Sequence, residues 1–223
     1  MTYLQIINKV LNRLRLSEVS SLTQDDYTKA LGAMVNDIKR EVEDAWQWTT
    51  LRSVITCPTV ASTQEYTLTG TGERGKILLD ENNAPRIWNN TTDTPVSIIS
   101  HEMLHRLSNS SSTQTGDVSH VCFIGQDATT HDQKVKFWPI PGSVQSIQFH
   151  YYVPQAELAA TSTVLEVPWY PVYLGALALA VDERGEDGGF PESKAERRYR
   201  SALAEAVIFD SLKVQHELEL RVG

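Results

Sequence analysis

No stretch of the 223-residue sequence is apolar for long enough to cross a bilayer. The longest such run, Leu174 to Val181, falls far short of the ~20 residues a spanning helix needs. The N-terminus lacks the charged, apolar and small-residue pattern of a signal peptide. Neither membrane insertion nor secretion is expected. Nine prolines and twelve glycines are too few and too scattered for a fibrous or low-complexity chain. There are two cysteines, Cys57 and Cys122, with no CxxC spacing, so a zinc site built on them is not expected. Each lies in an apolar, strand-like segment, which favours two buried thiols over a disulfide. A basic surplus is also missing: 20 Lys and Arg stand against 28 Asp and Glu, for a net charge of −8. A surface that grips nucleic acid gains its affinity by neutralising phosphates, and this composition argues against one.

What remains is a chain long enough for one sizeable core or two small ones, organised as helices, then strands, then helices. Residues 3–14 place Tyr3, Ile7, Val10, Leu11 and Leu14 on one helical face. A second helix opens at Thr23-Gln24-Asp25-Asp26, with Thr23 as its cap. It carries Tyr27, Leu31, Met34, Val35, Ile38, Val42 and Ala45 as a stripe and ends near Trp46-Gln47-Trp48. A strand is expected to begin at Leu51 and stop at Pro58, and others at Glu65–Leu68, Lys76–Leu79, Arg86–Trp88, Val96–Ile99, Val118–Ile124, Lys134–Trp138 and Ser146–Val153. Many short strands with frequent turns predict a small antiparallel barrel or sandwich. After Pro168 and Pro171, Val172 to Val181 is apolar on every side, as in a helix buried within a bundle. A last helix, about Glu192 to Val214, aligns Ala195, Tyr199, Ala202, Leu203, Ala206 and Phe209 on one face.

The fold class predicted is therefore α+β: a four-helix bundle formed by the N- and C-terminal helix pairs, with an inserted antiparallel β barrel or sandwich. Neither pair alone has enough apolar area to stand comfortably. The expected division is residues 1–49 and 166–212 for the bundle, 50–165 for the β insertion, and 213–223 for a tail. Trp46 and Trp48 are expected to pack at the junction, Trp138 to close a strand, and Trp169 to open the buried helix.

One pattern points to chemistry. His101-Glu102-Met103-Leu104-His105 reads H-E-x-x-H, in which two histidines one turn apart bind zinc and the glutamate activates a water. Against it, Ser108-Asn109-Ser110-Ser111-Ser112 leaves only a short helix to hold the ligands. Ser108 and Ser111 stand where the longer metalloprotease pattern has glycine and histidine. No glutamate occurs between Glu102 and Glu157, which leaves Asp117, His120 and Asp127 as the remaining donors in that stretch. There is no Walker loop, no G-x-G-x-x-G and no G-x-S-x-G elbow. The acidic clusters Asp182-Glu183, Glu186-Asp187 and Glu217 with Glu219 read as solvated helix ends. No enzyme activity, metal or cofactor is expected.

The order of the motifs resembles the head-to-tail adaptor proteins of tailed phages, the tail tubular protein A type included. It runs from Tyr3-Leu4-Gln5-Ile6-Ile7 through Val19-Ser20-Ser21-Leu22 to a long helix closing on a tryptophan. Glu65-Tyr66-Thr67-Leu68, Lys134-Val135-Lys136-Phe137-Trp138-Pro139, Phe149-His150-Tyr151-Tyr152 and Val167-Pro168-Trp169-Tyr170 continue it. The resemblance implies a structural, non-catalytic protein of the virion neck, twelve copies in a ring beneath the portal, and DNA passing through the lumen without specific binding. It places a tail nozzle, stopper or tail-tube protein below. It also assigns portal contact to Lys213, Val214, Gln215, His216, Glu217, Leu218, Glu219, Leu220, Arg221 and Val222. That stretch alternates polar with apolar residues and is expected to order on docking. The alternatives are a zinc hydrolase using His101, Glu102 and His105, and another neck or tail-completion subunit.

Overall fold

The computed structural model describes residues 1–79, 84–110, 114–185 and 194–219, the side chains of 110 and 214–219 excepted. The chain divides into two compact units, Met1–Leu51 with Gln155–Gly223, and Arg52–Pro154.

The first unit is helical. α1 (Tyr3–Arg13) starts at a reciprocal cap: Thr2 Oγ1 accepts from Gln5 N–H, and Gln5 Oε1 accepts from Thr2 N–H. α2 (Asp26–Ala45) is capped by Asp25 and not by Thr23. The Asp25 carboxylate takes both the backbone N–H of Thr28, at 2.7 Å, and its hydroxyl, at 2.9 Å. Thr23 spends its own hydroxyl on Ser21. Two bonds to a charged acceptor outweigh the one a threonine can offer.

α3 (His101–Ser110) belongs to the second unit, and α4 (Trp169–Glu183) and α5 (Lys194–Glu219) return to the first. α4 is buried along most of its length and packs against α1, α2 and α5. Gly175 permits the closest approach: a Cβ there would lie 2.5 Å from Ile38 Cγ2. α5 extends beyond the expected Val214, and its inward face differs from the expected one. Tyr199 and Ala202 are buried, but Phe209 is 68% exposed. The inward position at that end goes to Asp210, whose carboxylate accepts from Trp46 Nε1 and from Thr49 N–H and Oγ1–H.

The segment that returns to the helices is fastened to α2 by buried polar groups. Lys39 Nζ donates to Glu43 at 2.9 Å and to the carbonyls of Gln155 and Ala156. Asn36 donates to the Leu158 carbonyl and accepts from its N–H. The strand-like stretch beyond it reaches α1, where Tyr3 N–H meets the Thr163 carbonyl and Leu165 N–H that of Met1.

The second unit carries all the strands: β1 (Arg52–Pro58), β2 (Glu65–Leu68), β3 (Lys76–Ile77), β4 (Ile87–Asn89), β5 (Thr94–Pro95), β6 (Ser97–Ile98), β7 (Thr115–Gly116), β8 (His120–Gln126), β9 (Gln133–Trp138), β10 (Ile140–Pro141) and β11 (Ser146–Tyr152). One sheet has the order β1-β11-β4-β5, with β3 also on β11; the second is β2-β9-β8-β6; β10 and β7 form a third. Among the described residues these sheets are open, and the expected barrel does not close. Two pairs, β6 with β8 and β10 with β7, are parallel, against the all-antiparallel expectation. Both larger sheets feed one core, with Ile147, Phe149 and Tyr151 from one and Val121, Val135 and Phe137 from the other.

A buried polar network organises this unit. Gln145 Oε1 accepts from Asn89 and from Val118 N–H, while its Nε2 donates to Asp117. Its backbone N–H donates to Thr59 Oγ1. Asp132 holds the loop of Gly70 and Gly72, both at positive φ, through their backbone N–H groups. Burial of the Cys57 thiol pushes its pKa up to about 11, and both cysteines are free and buried.

Candidate functional site

The H-E-x-x-H residues lie on α3, which continues into the serine-rich stretch as far as Ser110. Ser100 Oγ accepts from Met103 N–H at its start, and Leu104 points inward to pack with Cys122 and Trp138. His101, Glu102 and His105 are exposed beside an open cleft that Gln64 and Lys136 also line. The chemistry there does not suit a zinc ion. Glu102 is held by the Arg106 guanidinium one turn away, and the Lys136 ammonium brings positive charge to the same cleft. The other donors are engaged elsewhere: Asp117 with Gln145, His120 Nδ1 with Ser119, and Asp127 with Thr129, Thr130 and Lys134. The Thr129 and Thr130 N–H bonds, with Lys134, lower the Asp127 carboxyl to about 2. Among the described residues no three His, Cys, Asp or Glu side chains gather as a metal site.

The C-terminal candidates extend α5. Lys213 pairs with Asp210 at 3.5 Å, and Val214, Gln215, His216, Glu217, Leu218 and Glu219 continue the helix. Leu220, Arg221 and Val222 lie outside the described residues. Just before them α5 exposes three large apolar side chains in adjoining positions: Ile208 at 58%, Phe209 at 68% and Leu212 at 53%.

A second feature of the helical unit escaped sequence reasoning. A cleft of about 450 Å³ is lined by Arg13, Tyr170, Tyr173, Leu177, Lys194 and Arg198 among others, drawn from α1, α4 and the start of α5. Beside it Lys9 Nζ stands 4.4 Å from the centre of the Trp169 ring, and Trp169 in turn meets Tyr170 and Tyr173. No spacing rule joins Arg13 to Arg198, so only the fold brings them together.

A helical unit built from both chain ends, a strand-rich middle and an α5 that carries exposed apolar residues toward its C-terminus agree with a protein that joins others. The family model for SU10 adaptor proteins matches residues 1–218. The chain belongs to the SU10 adaptor family. It is accordingly a phage adaptor protein, a structural component of the virion. No curated protein matches it. In this adaptor no described helix is long and apolar enough to cross a membrane.

Proposed function

We propose that this adaptor joins the portal of the capsid to the tail of a phage, in the virion neck, as a ring of twelve copies through whose lumen DNA passes without specific binding. The observation that carries the reading is the family match, which runs over residues 1–218 and so takes in both helical and strand-rich parts. The net charge of −8 supports a passive lumen, since an acidic wall repels a duplex. In this reading the helical unit acts as the bundle domain of four helices, and the strand-rich unit, Arg52–Pro154, as a separate domain that meets neighbouring subunits or proteins.

The upper contact is the segment from Lys213 to Val222, which meets the portal. Its first residues continue α5, the helix that Asp210 locks onto the Trp46–Thr49 corner. A nozzle, stopper or tail-tube protein receives the opposite side. Co-purification with the portal protein tests the reading. The full chain is expected to be retained by the portal, and a chain ending at Leu212 to be lost from it while keeping its helical content. A folded full-length adaptor that no portal retains would overturn the assignment.

A further inference from the structure

The two halves of α5 are held to the helical unit by different means. The first half is anchored by the buried side chains of Tyr199 and Ala202. Beyond Ala202, among the described side chains of the helix, only Asp210 is buried, while Ile208, Phe209 and Leu212 around it face solvent. A carboxylate therefore does for the distal half what apolar burial does for the first. Its oxygens accept from Trp46 Nε1–H at 3.1 Å, from Thr49 N–H at 2.9 Å and from Thr49 Oγ1–H at 2.7 Å. Lys213, one turn on, approaches the same carboxylate at 3.5 Å.

All three donors come from the corner between α2 and β1, where the chain leaves the helical unit for the strand-rich one. The returning passage is pinned by another helix, since Lys39 of α2 holds the carbonyls of Gln155 and Ala156. So the outgoing passage answers to α5 and the returning one to α2. Separation costs both sides of the outgoing contact. Distal α5 gives up its buried anchor, and the corner gives up a charged acceptor, the stronger kind of hydrogen bond. Segments that share their bonds in this way open together, as one local unit of low stability. We infer that Asp210 joins the distal half of α5 and the Trp46–Thr49 corner into one conformational latch, so that whatever orders the end of α5 also orders the passage into β1. The inference rests on the adaptor reading for the identity of that agent, the portal. The coupling is reciprocal: an ordered corner favours docking by the same factor.

Amide hydrogen exchange of the full chain, resolved by residue, tests the latch with and without the portal protein. Leu51 reports the corner without being a partner of Asp210, because its N–H bonds to the Trp48 carbonyl. The amides of 210–213 report distal α5. Asp210→Asn and the milder Thr49→Val are each expected to speed exchange at both places by about tenfold, as for the loss of a hydrogen bond to a charged group. Helical content should be kept, and the amides of 172–180 in α4 should hold their rates. Phe209→Ser, an exposed neighbour of similar helix propensity, should change neither place by more than about twofold. Portal protein should slow both places in the wild type, but only 210–213 in Asp210→Asn. Variants that loosen 210–213 and leave Leu51 unchanged overturn the inference, and so does portal retention that leaves Leu51 unchanged in the wild type. A portal that retains nothing, while the variants still loosen both places together, sinks the adaptor reading and leaves the latch standing.

Discussion

The helical unit and the strand-rich unit solve the same problem of buried polar groups in different ways. In the helical unit the buried polar residues are few and mostly charged, Lys39, Glu43 and Asp210 with Thr28, and the charged ones sit where a distant segment must be tied to a helix. Lys39 and Glu43 are both almost fully buried, and the lysine's remaining donors take the carbonyls of Gln155 and Ala156. Asp210 does the same for the corner after α2. In the strand-rich unit the buried polar groups are mostly neutral amides and hydroxyls, Thr59, Thr71, Asn89 and Gln145, with the carboxylate of Asp132 beside them. Gln145 alone joins Asn89, Val118, Asp117 and Thr59, residues from four separate stretches. Charged pins lock helices whose own hydrogen bonds are already complete; amide networks replace ladder bonds where short strands end.

That contrast predicts where each unit breaks, read by native-state hydrogen exchange and thermal melting of the full chain. Lys39→Met should have the largest effect, about 4 kcal/mol, because it removes the cation opposite a buried carboxylate. Its loss of protection should centre on α2 and residues 155–165. Gln145→Ala should cost about 3 kcal/mol, since Asn89 and Val118 N–H lose their acceptor in a dry site, with the loss centred on β4 and β11. If the two variants unprotect both units equally, the distinction between them is wrong. Gly175→Ala should cost about 2 kcal/mol, as α2 and α4 are pushed apart at Ile38.

The smallest effect is in acid. Burial raises the Asp210 carboxyl, but the bonds from Thr49 and Trp46 outweigh it and leave its pKa below the ordinary carboxylate value. A lowered pKa in the folded state gives stability that is present above the unfolded value and lost as pH falls through the folded one. The wild-type helical unit should therefore weaken below the ordinary carboxylate range. Asp210→Asn should show a flatter acid limb, checked by melting temperature against pH.

Much of the architecture was legible locally. Strand Glu65–Leu68 falls on its expected residues, α1 runs from the expected Tyr3, and the all-round apolar run of α4 identified its burial, because these patterns are set by residues a turn or a pleat apart. Their joining into sheets was less so. β6 pairs parallel with β8, more than twenty residues on, and nothing near Ser97 or His120 announces it. Phe209 fits the apolar stripe of α5 by spacing, yet it lies exposed because Asp210, a residue the stripe excludes, makes the inward bonds. The capping box of Thr2 and Gln5 is a T-x-x-Q pattern, set by residues three apart. H-E-x-x-H is present as a pattern, but α3 turns Leu104 inward and its histidines and glutamate outward. The basic cleft needed Arg13, Tyr170 and Arg198 together, and a separation of that order is invisible to periodicity.

Imaging the purified protein mixed with its portal tests the central claim most directly. The account predicts a ring of copies seated under the portal, each sending its C-terminal segment upward. A well-folded protein that leaves the portal bare at every concentration tried would contradict it.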